Sequence, residues 1–306
     1  ILWLSSVRQI RVARYYDPLQ EAVSRIPGVE LTWIPRDLGK LEGGAWCQEL
    51  IANRHSHPMA LSNLVHPGLA NEHDVIVADA IWAFMGEQWG RIETPRANIM
   101  VDLHGPLVEE YTPAAFHEFG FTLFLTRYLD PLPQYHSYLP KHMIRHLPIE
   151  VDAAVFKDYL EPKDGTALMT GTVNEAYPVR ERIDQECAGR PWYRRIKRPP
   201  ENGHRDWPVD GDYARELNRA RIAFSCTSGY HYVVKKFMEI PACHTTLVSD
   251  DIPEMRRLGF VPGKNFLPLD PTNSSRAQIE AMLERPDLEE IAAAGFNLIH
   301  SRHTTD

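Results

Sequence analysis

The chain has 306 residues, of which 43% are hydrophobic and 24% are charged, and its formal net charge is −8. This composition is typical of a globular protein, and the length favours two domains of about 150 residues each. The negative charge argues against general nucleic-acid binding. No apolar run approaches the ~18 residues that would span a membrane. The N-terminal ILWLSS lacks a basic segment, so no signal peptide is expected.

The cysteines and histidines give no sign of a metal site. Cys47, Cys187, Cys226 and Cys243 are far apart and form no C-x-x-C pair, which fits a protein of the reducing cytoplasm. The fourteen histidines are scattered, without H-E-x-x-H or a related spacing. We therefore predict a cytoplasmic protein without a bound metal.

The first half of the chain alternates short apolar segments with polar stretches. Six of the segments lack polar alternation, as is typical of parallel strands covered on both faces. They are residues 1–6, 29–35, 74–79, 97–105, 121–126 and 143–149. Between the first two, DPLQEAVSRIPG has an Asp cap, an early Pro and a closing Gly, so it predicts a helix. This order predicts a βαβ unit.

A second series of apolar segments follows the acidic connector VDAAVFKDYLEPKDG. Its members alternate with helical patterns, and they are residues 166–171, 192–197, 221–226, 245–250 and 265–270. Two such series predict an α/β protein with two Rossmann-like, doubly wound parallel-sheet domains, residues 1–150 and 151–306.

In doubly wound sheets, ligands bind outside the carboxyl ends of the strands. The candidates that follow predicted strands are Asp79, Asp102, His104, Gly171, Thr172, residues 226–230 and residues 249–251. In TGTVNEAYPVRERI a small-residue loop leads into a helix, and helix N-termini bind phosphate. An ordinary βα turn is the alternative interpretation.

The segment KKFMEIPACHTTLVSDDIPEM places Glu239 inside an apolar run. An ionised carboxylate is costly to bury without donors, so Glu239 lies either on the rim of a helix or against a ligand with hydroxyl groups. Lys235 and Lys236 could bind a diphosphate, and Glu239 could bind both hydroxyls of a ribose. The alternative is an amphipathic helix with solvated lysines.

This segment resembles the R-x-F-E-x-x-A-C-G stretch of GT-B glycosyltransferases, particularly the bacterial CgeB-like and group 1 enzymes. Three further segments agree in order with that superfamily: HLPIEVDAAVF with the interdomain linker, TALMTGTVNEAYPVRERI with the opening of the donor domain, and AAAGFNLIHSRHTTD with the usual ending. The four matches cover about half of the chain. The resemblance implies an acceptor-binding domain over residues 1–150, a donor-binding domain over 151–306, and a central cleft between them.

The resemblance also implies roles in donor binding. Glu239 would hold the donor ribose, and Lys236 stands where the family has an arginine. Gly171 and Thr172 would form the donor-phosphate loop, and Tyr230 would line the base or sugar pocket. Arg180 would assist Lys236 with the diphosphate.

Three histidines and two carboxylates complete the candidate set. His104 resembles the histidine near the donor sugar in retaining GT-B enzymes, and a structural hydrogen bond is its alternative role. His231 stands where many retaining enzymes have a second glutamate, eight residues before Glu239. Asp102 and Asp79 are candidate bases should the enzyme be inverting. His244 replaces an expected glycine, so it either contacts the nucleotide or packs outward.

The implied function is transfer of a sugar from a nucleotide-diphospho-sugar, a UDP-sugar or alternatively a GDP-sugar, to an acceptor hydroxyl. The acceptor would be a glycan, a small molecule or a protein, and the reaction would be retaining and require no cofactor. Stabilisation of the leaving diphosphate would be the largest electrostatic contribution.

Three alternatives remain open at this point: a nucleotide-sugar epimerase, a phage enzyme acting on modified DNA, and a non-catalytic GT-B-like binding protein. The basic and aromatic segment 190–207 would contact DNA in the second case. The sequence leaves open the donor base and sugar, the oligomeric state, and whether a crossover helix belongs after HTTD.

Overall fold

The computed structural model describes residues 1–4, 17–34, 37, 67–78, 90–100, 103, 119–196, 208, 210–270 and 272–305. Three of the candidate residues, Asp79, Asp102 and His104, lie outside the described residues, as does 197–207 of the basic segment. The chain divides into two compact units, residues 1–147 and 148–306. This division falls close to the boundary expected near residue 150.

The first unit contains one parallel sheet of six strands. The elements in chain order are β1 (Leu2–Leu4), α1 (Asp17–Ser24), β2 (Thr32–Ile34), α2 (Pro67–Asn71), β3 (Ile76–Ala78), β4 (Arg96–Met100), β5 (Leu123–Thr126), α3 (Leu132–Tyr135), a 3₁₀ turn (Lys141–Met143) and β6 (Ile144–His146). The strand order is β2-β1-β3-β4-β5-β6, and all pairs are parallel. Each predicted strand of this half has a counterpart among the described residues.

One face of this sheet is covered by aromatic and aliphatic side chains. The buried cluster comprises Trp3, Trp33, Val77, Ala97 and Ile99. These residues come from four neighbouring strands. Because this part of the sheet is covered, its strands are formed by continuous apolar segments. Burial of this surface is the main favourable contribution to folding of the unit.

The second unit contains a parallel sheet of five strands. Its elements are β7 (Ala167–Thr170), α4 (Pro178–Cys187), β8 (Tyr193–Ile196), α5 (Asp210–Arg219), β9 (Ile222–Phe224), α6 (Lys236–Ala242), β10 (Thr246–Ser249), α7 (Pro253–Arg257), β11 (Leu267–Pro268), α8 (Ser275–Leu283) and α9 (Leu288–Arg302). The strand order is β11-β10-β9-β7-β8, and all pairs are parallel.

The helices of the second unit fall into two groups. Helix α4 packs against α8, whereas α6 packs against α5 and α9. Ala167 and Met169 of β7 belong to the core cluster that also contains side chains of α4 and α8. Since side chains alternate along a strand, Leu168 and Thr170 point to the other face, toward α5. This arrangement is doubly wound.

The strand order reverses between β7 and β9. The chain runs outward from β7 to β8 on one side and then returns to β9 on the other side of β7. The connections that follow β7 and β9 therefore run in opposite directions from the carboxyl ends of these two strands. Such a switch point is where ligands bind in doubly wound sheets.

The start of the second unit is tied to the end of the chain. Val151 forms a parallel bridge with Thr304, in which the Val151 N–H donates to His303 O at 2.9 Å and the Thr305 N–H donates to Val151 O at 3.1 Å. The predicted linker is thus fixed to the residues after α9. Among the described residues, no helix is long and apolar enough to cross a membrane.

Candidate functional site

Gly171 follows β7 directly and has a backbone φ of +86°. A Cβ atom at this position would lie 2.7 Å from Lys236 Cε and 3.3 Å from Arg180 Nη1. Residues with a side chain rarely adopt this φ, so the backbone favours glycine, and a Cβ atom here would also make the Lys236 side chain shift. Two cationic side chains therefore converge on the end of β7.

Arg180 is held rigidly beside the first turn of α4. It is only 3% exposed, its Nη1 donates to Thr172 O at 3.2 Å, and its guanidinium lies 4.0 Å from the centre of the Tyr177 ring. Its Nε has no hydrogen-bond partner among the described residues. Tyr177 does not cap the helix with its side chain. The helix N-terminus and the guanidinium together favour an anion at this point.

Glu239 lies in the first turn of α6 and is buried, with 7% of its surface exposed. Its Oε2 has no hydrogen-bond partner among the described residues, and Lys236 Nζ is 4.0 Å away. The side chain is therefore not on a solvated rim. A buried carboxylate oxygen without a donor is unusual in folded proteins and needs an explanation. It is an available acceptor for a hydroxyl group of a ligand.

Tyr213 of α5 completes this cluster. Its hydroxyl shares a hydrogen bond of 3.0 Å with Thr170 Oγ1, and its ring centre is 5.5 Å from Lys236 Nζ. Burial, together with the negative charge of Glu239, raises the pKa of Tyr213 well above its usual value, so the phenol stays neutral. Sequence reasoning missed both Tyr213 and Thr170. The one available signal was the position of Tyr213 four residues before the buried Leu217 on one helix face.

The loop after β9 is also ordered around the switch point. The residues from Ser225 to Ser228 are buried, and Asp250 accepts hydrogen bonds from the Thr227 N–H at 2.8 Å and from the Thr227 hydroxyl. The Gly229 N–H donates to Ala176 O at 2.9 Å, which joins the loops after β9 and β7.

Ser225 and Cys226 lie in the same loop. Ser225 Oγ has no hydrogen-bond partner among the described residues. Burial raises the pKa of the Cys226 thiol to about 11, against the opposing effect of Arg180. The thiol is therefore protonated at neutral pH.

Tyr230 and His231 lie between β9 and α6. The Tyr230 ring is 5.7 Å from that of Tyr232, and Tyr230 is half-buried. His231 is exposed and has a φ of +59°. Its N–H donates to Ser228 O at 2.9 Å, so the turn places the imidazole at the surface of this loop.

His244 has structural contacts. It has a φ of +54°, its Nδ1 lies 2.8 Å from Asp158 Oδ2, and its ring packs 5.5 Å from that of Phe296. Although burial acts to raise the pKa of Asp158, hydrogen bonds from Leu160 N–H, His244 and Asn218 lower it overall. The His244 side chain, at a position where a glycine was expected, thus links the connector to α9.

Within the described part of the chain, no group of three or more potential ligands could hold a metal ion.

Residues 172–306 match the family described as glycosyl transferase-like. Over 99% of its length the chain also superposes on two solved structures, HepE of Anabaena in complex with UDP-glucose and a glycosyltransferase of Rickettsia africae. The TM-scores are 0.66 and 0.58, the identities are 13% and 10%, and 95% and 93% of those chains are covered. The fold is GT-B.

A third GT-B structure is similar over a shorter span. The pneumococcal O-GlcNAc transferase GtfA, solved with UDP and GlcNAc, gives a TM-score of 0.52 at 12% identity, over 81% of this chain and 56% of that one. No curated protein sequence matches this chain significantly. Residues 172–306, the part of the chain that matches this family model, contain Arg180, Lys236 and Glu239.

Proposed function

We propose that this chain is a glycosyltransferase that transfers a sugar from a nucleotide-diphospho-sugar to an acceptor hydroxyl. The observation that carries the proposal is the buried Glu239 carboxylate at the switch point of a parallel sheet. Its Oε2 accepts no hydrogen bond from the described residues and lies 4.0 Å from the Lys236 ammonium. This arrangement suits a ligand that has hydroxyl donors next to an anionic group. A ribose joined to a diphosphate has both.

In the proposed reaction, the bond between the anomeric carbon and the β-phosphate oxygen breaks. The acceptor oxygen forms the new bond to that carbon, and in a retaining reaction its proton passes to the departing phosphate oxygen. Negative charge grows on the diphosphate during this step. Lys236, Arg180 and the N-terminus of α4 would stabilise that charge without reorganising, which is the largest electrostatic contribution expected.

The donor we propose is a UDP-sugar. Its support is that HepE, of similar fold, was solved with UDP-glucose and GtfA with UDP and GlcNAc. The retaining outcome and the absence of a metal requirement are part of the proposal, as is membership of the CgeB-like group. A reaction that stops in EDTA and resumes with added magnesium would contradict metal independence.

The remaining roles are proposals carried by the resemblance. Gly171 and Thr172 would form the phosphate loop, Tyr230 would line the base or sugar pocket, and His231 would contact the donor sugar. His104 would lie near the donor sugar, and Asp102 or Asp79 would be the base should the reaction be inverting; all three lie outside the described residues. The first unit would bind that acceptor, a glycan, small molecule or protein, in the cytoplasm.

Calorimetric titration tests the donor assignment. We expect UDP to bind more tightly than GDP, dTDP or ADP. We also expect 2′,3′-dideoxy-UDP to bind wild type more weakly than UDP does, and Glu239→Gln to bind the two with similar affinity. Glu216→Gln is the control, because Glu216 pairs with Arg194 and Arg219 instead. If UDP binds more tightly than 2′,3′-dideoxy-UDP by the same factor in wild type and in Glu239→Gln, the proposed role of Glu239 is contradicted.

A turnover assay tests the reaction itself. Purified protein with UDP-glucose and a panel of hydroxyl acceptors should release UDP and form a glycoside only when an acceptor is present. Conversion of the donor into another UDP-sugar without an acceptor would instead identify an epimerase.

A further inference from the structure

The Lys236 side chain occupies a defined place beside Gly171. Its Cε lies 2.7 Å, and its Nζ 3.4 Å, from where a Cβ of Gly171 would be. The ammonium is 4.0 Å from Glu239 Oε2, which is an ion pair longer than a hydrogen bond, and 5.5 Å from the centre of the Tyr213 ring. The ring is therefore one of the neighbours that define the position of this charge.

Tyr213 is itself fixed from two sides. Its hydroxyl bonds to Thr170 Oγ1 at 3.0 Å, and its ring meets the Phe156 ring edge-on, with centroids 6.2 Å apart. Thr170 is the last residue of β7 and immediately precedes Gly171. The ring thus stands in a fixed relation to the loop where the phosphate is proposed to bind, and only 8% of Tyr213 is exposed.

A lysine side chain loses considerable conformational entropy when it is held in one place. The face of an aromatic ring attracts an ammonium ion within about 6 Å of its centroid, more strongly where water is excluded. A ring that already holds the ammonium reduces the ordering cost that a ligand would otherwise meet on binding. Glu239 cannot hold the Lys236 ammonium in place alone, because its carboxylate is proposed to turn to the ribose.

We propose that Tyr213 is a positioning residue, whose ring holds the Lys236 ammonium beside Gly171 ready for the donor diphosphate. The inference rests on the proposed function for the identity of the ligand, but its geometric part is independent of any ligand. The Tyr213 ring holds the ammonium, whereas the Tyr213 hydroxyl only orients the ring. Removing the ring should therefore act more strongly than removing the hydroxyl.

The test uses reductive ¹³C-methylation of the full chain, which keeps lysines cationic and gives NMR signals for its eight lysines. The Lys236 signal is assigned from its loss in Lys236→Arg. Tyr213→Leu should shift this signal because the ring current is lost, whereas Tyr213→Phe should leave it near the wild-type position. Tyr193→Leu is the matched control, because Tyr193 bonds to Asp184 instead, and it should leave the Lys236 signal unchanged.

Calorimetry on unmethylated protein provides the second measurement. Tyr213→Leu should weaken binding of UDP and of inorganic pyrophosphate by about tenfold, within the range of cation–π contributions. Tyr213→Phe and Thr170→Val should stay within about threefold of wild type, as expected for loss of one neutral hydrogen bond. The last two variants keep the test usable if Tyr213→Leu does not fold.

The outcomes separate the two proposals. An unshifted Lys236 signal in Tyr213→Leu overturns the inference, and so does a shifted signal with unchanged UDP and pyrophosphate affinity. If Tyr213→Leu does not fold, an affinity loss in Tyr213→Phe as large as that of Lys236→Ala overturns it. Failure of wild type to bind any nucleotide overturns the proposed function, and the NMR comparison then judges the position of Lys236 on its own.

Discussion

The Lys236 side chain lies across Gly171 so closely that a methyl group on Gly171 would sit 2.7 Å from Lys236 Cε. The two residues come from different βα connections, one at the end of β7 and the other at the start of α6. Their contact brings a cation to the switch point of the sheet, where Arg180 and Glu239 also lie. A side chain at residue 171 would therefore make Lys236 shift from this place.

We predict that Gly171→Ala lowers both stability and UDP affinity. The positive φ should cost about 1–2 kcal/mol for any L-residue, and the new methyl group should also displace Lys236. Gly189→Ala is the matched control, because Gly189 has a φ of +80° and no atom of the described residues lies within 4 Å of the position of its added Cβ. Urea unfolding and UDP titration check both variants. The interpretation fails if Gly189→Ala weakens UDP binding as much as Gly171→Ala.

Glu239→Gln should separate stability from binding. The amide replaces a buried carboxylate whose Oε2 accepts no hydrogen bond from the described residues, so the melting temperature of the free protein should not fall. UDP affinity should fall by about tenfold to a hundredfold, the usual cost of losing hydrogen bonds to a charged group. Thermal unfolding with and without UDP measures both effects. A clear drop in melting temperature without ligand would instead mean that the carboxylate stabilises the fold.

His244→Gly should leave UDP affinity unchanged. The imidazole contacts Asp158 and Phe296, and glycine is the natural residue for a φ of +54°. Loss of the Asp158 contact and relief of the backbone conformation act in opposite directions on stability, so nucleotide binding is the informative measurement. A loss of affinity comparable to that of Glu239→Gln would place His244 in the nucleotide site.

Stability of the second unit should fall as the pH is lowered below about 6.5, the ordinary histidine value. Burial lowers the pKa of His303, with the contact to Leu258 O acting the other way. In the pH range between the two pKa values, the unfolded chain binds a proton at His303 that the folded chain does not. The free energy of unfolding therefore declines as the pH falls through this range, by at most about 1.4 kcal/mol per pH unit.

The check is urea unfolding of wild type and His303→Gln between pH 7.5 and 5. The variant should show a smaller slope than wild type. Identical slopes in the two proteins would show that His303 does not contribute.

The three described cysteines should resist alkylation in the native protein. Burial raises the pKa of Cys187 to about 12 and that of Cys226 to about 11, and it raises that of Cys243 well above the ordinary value. Because the thiolate is the reactive form, iodoacetamide at pH 7.5 should label them only after unfolding. Peptide mass spectrometry of native and denatured samples measures this. Rapid native labelling of Cys226 would mean that the loop after β9 opens.

The sequence alone predicted every strand that the structure describes in the two sheets. This succeeded because a strand covered on both faces must be apolar throughout, and that pattern is local. The likeness of residues 235–255 also pointed to Glu239 and Lys236. It could not tell whether Glu239 was buried, since a single carboxylate in an apolar run fits a helix rim equally well.

What only the tertiary structure decided is the set of contacts between residues distant in the chain. The Thr170–Tyr213 hydrogen bond joins residues 43 positions apart, and the bridge between Val151 and Thr304 joins the two ends of the second unit. No periodicity marks such pairs, because their partners are chosen by how helices pack on a sheet. The sequence by itself determined which segments are strands, whereas packing determined that Tyr213 meets Lys236 and that a carboxylate is buried beside it.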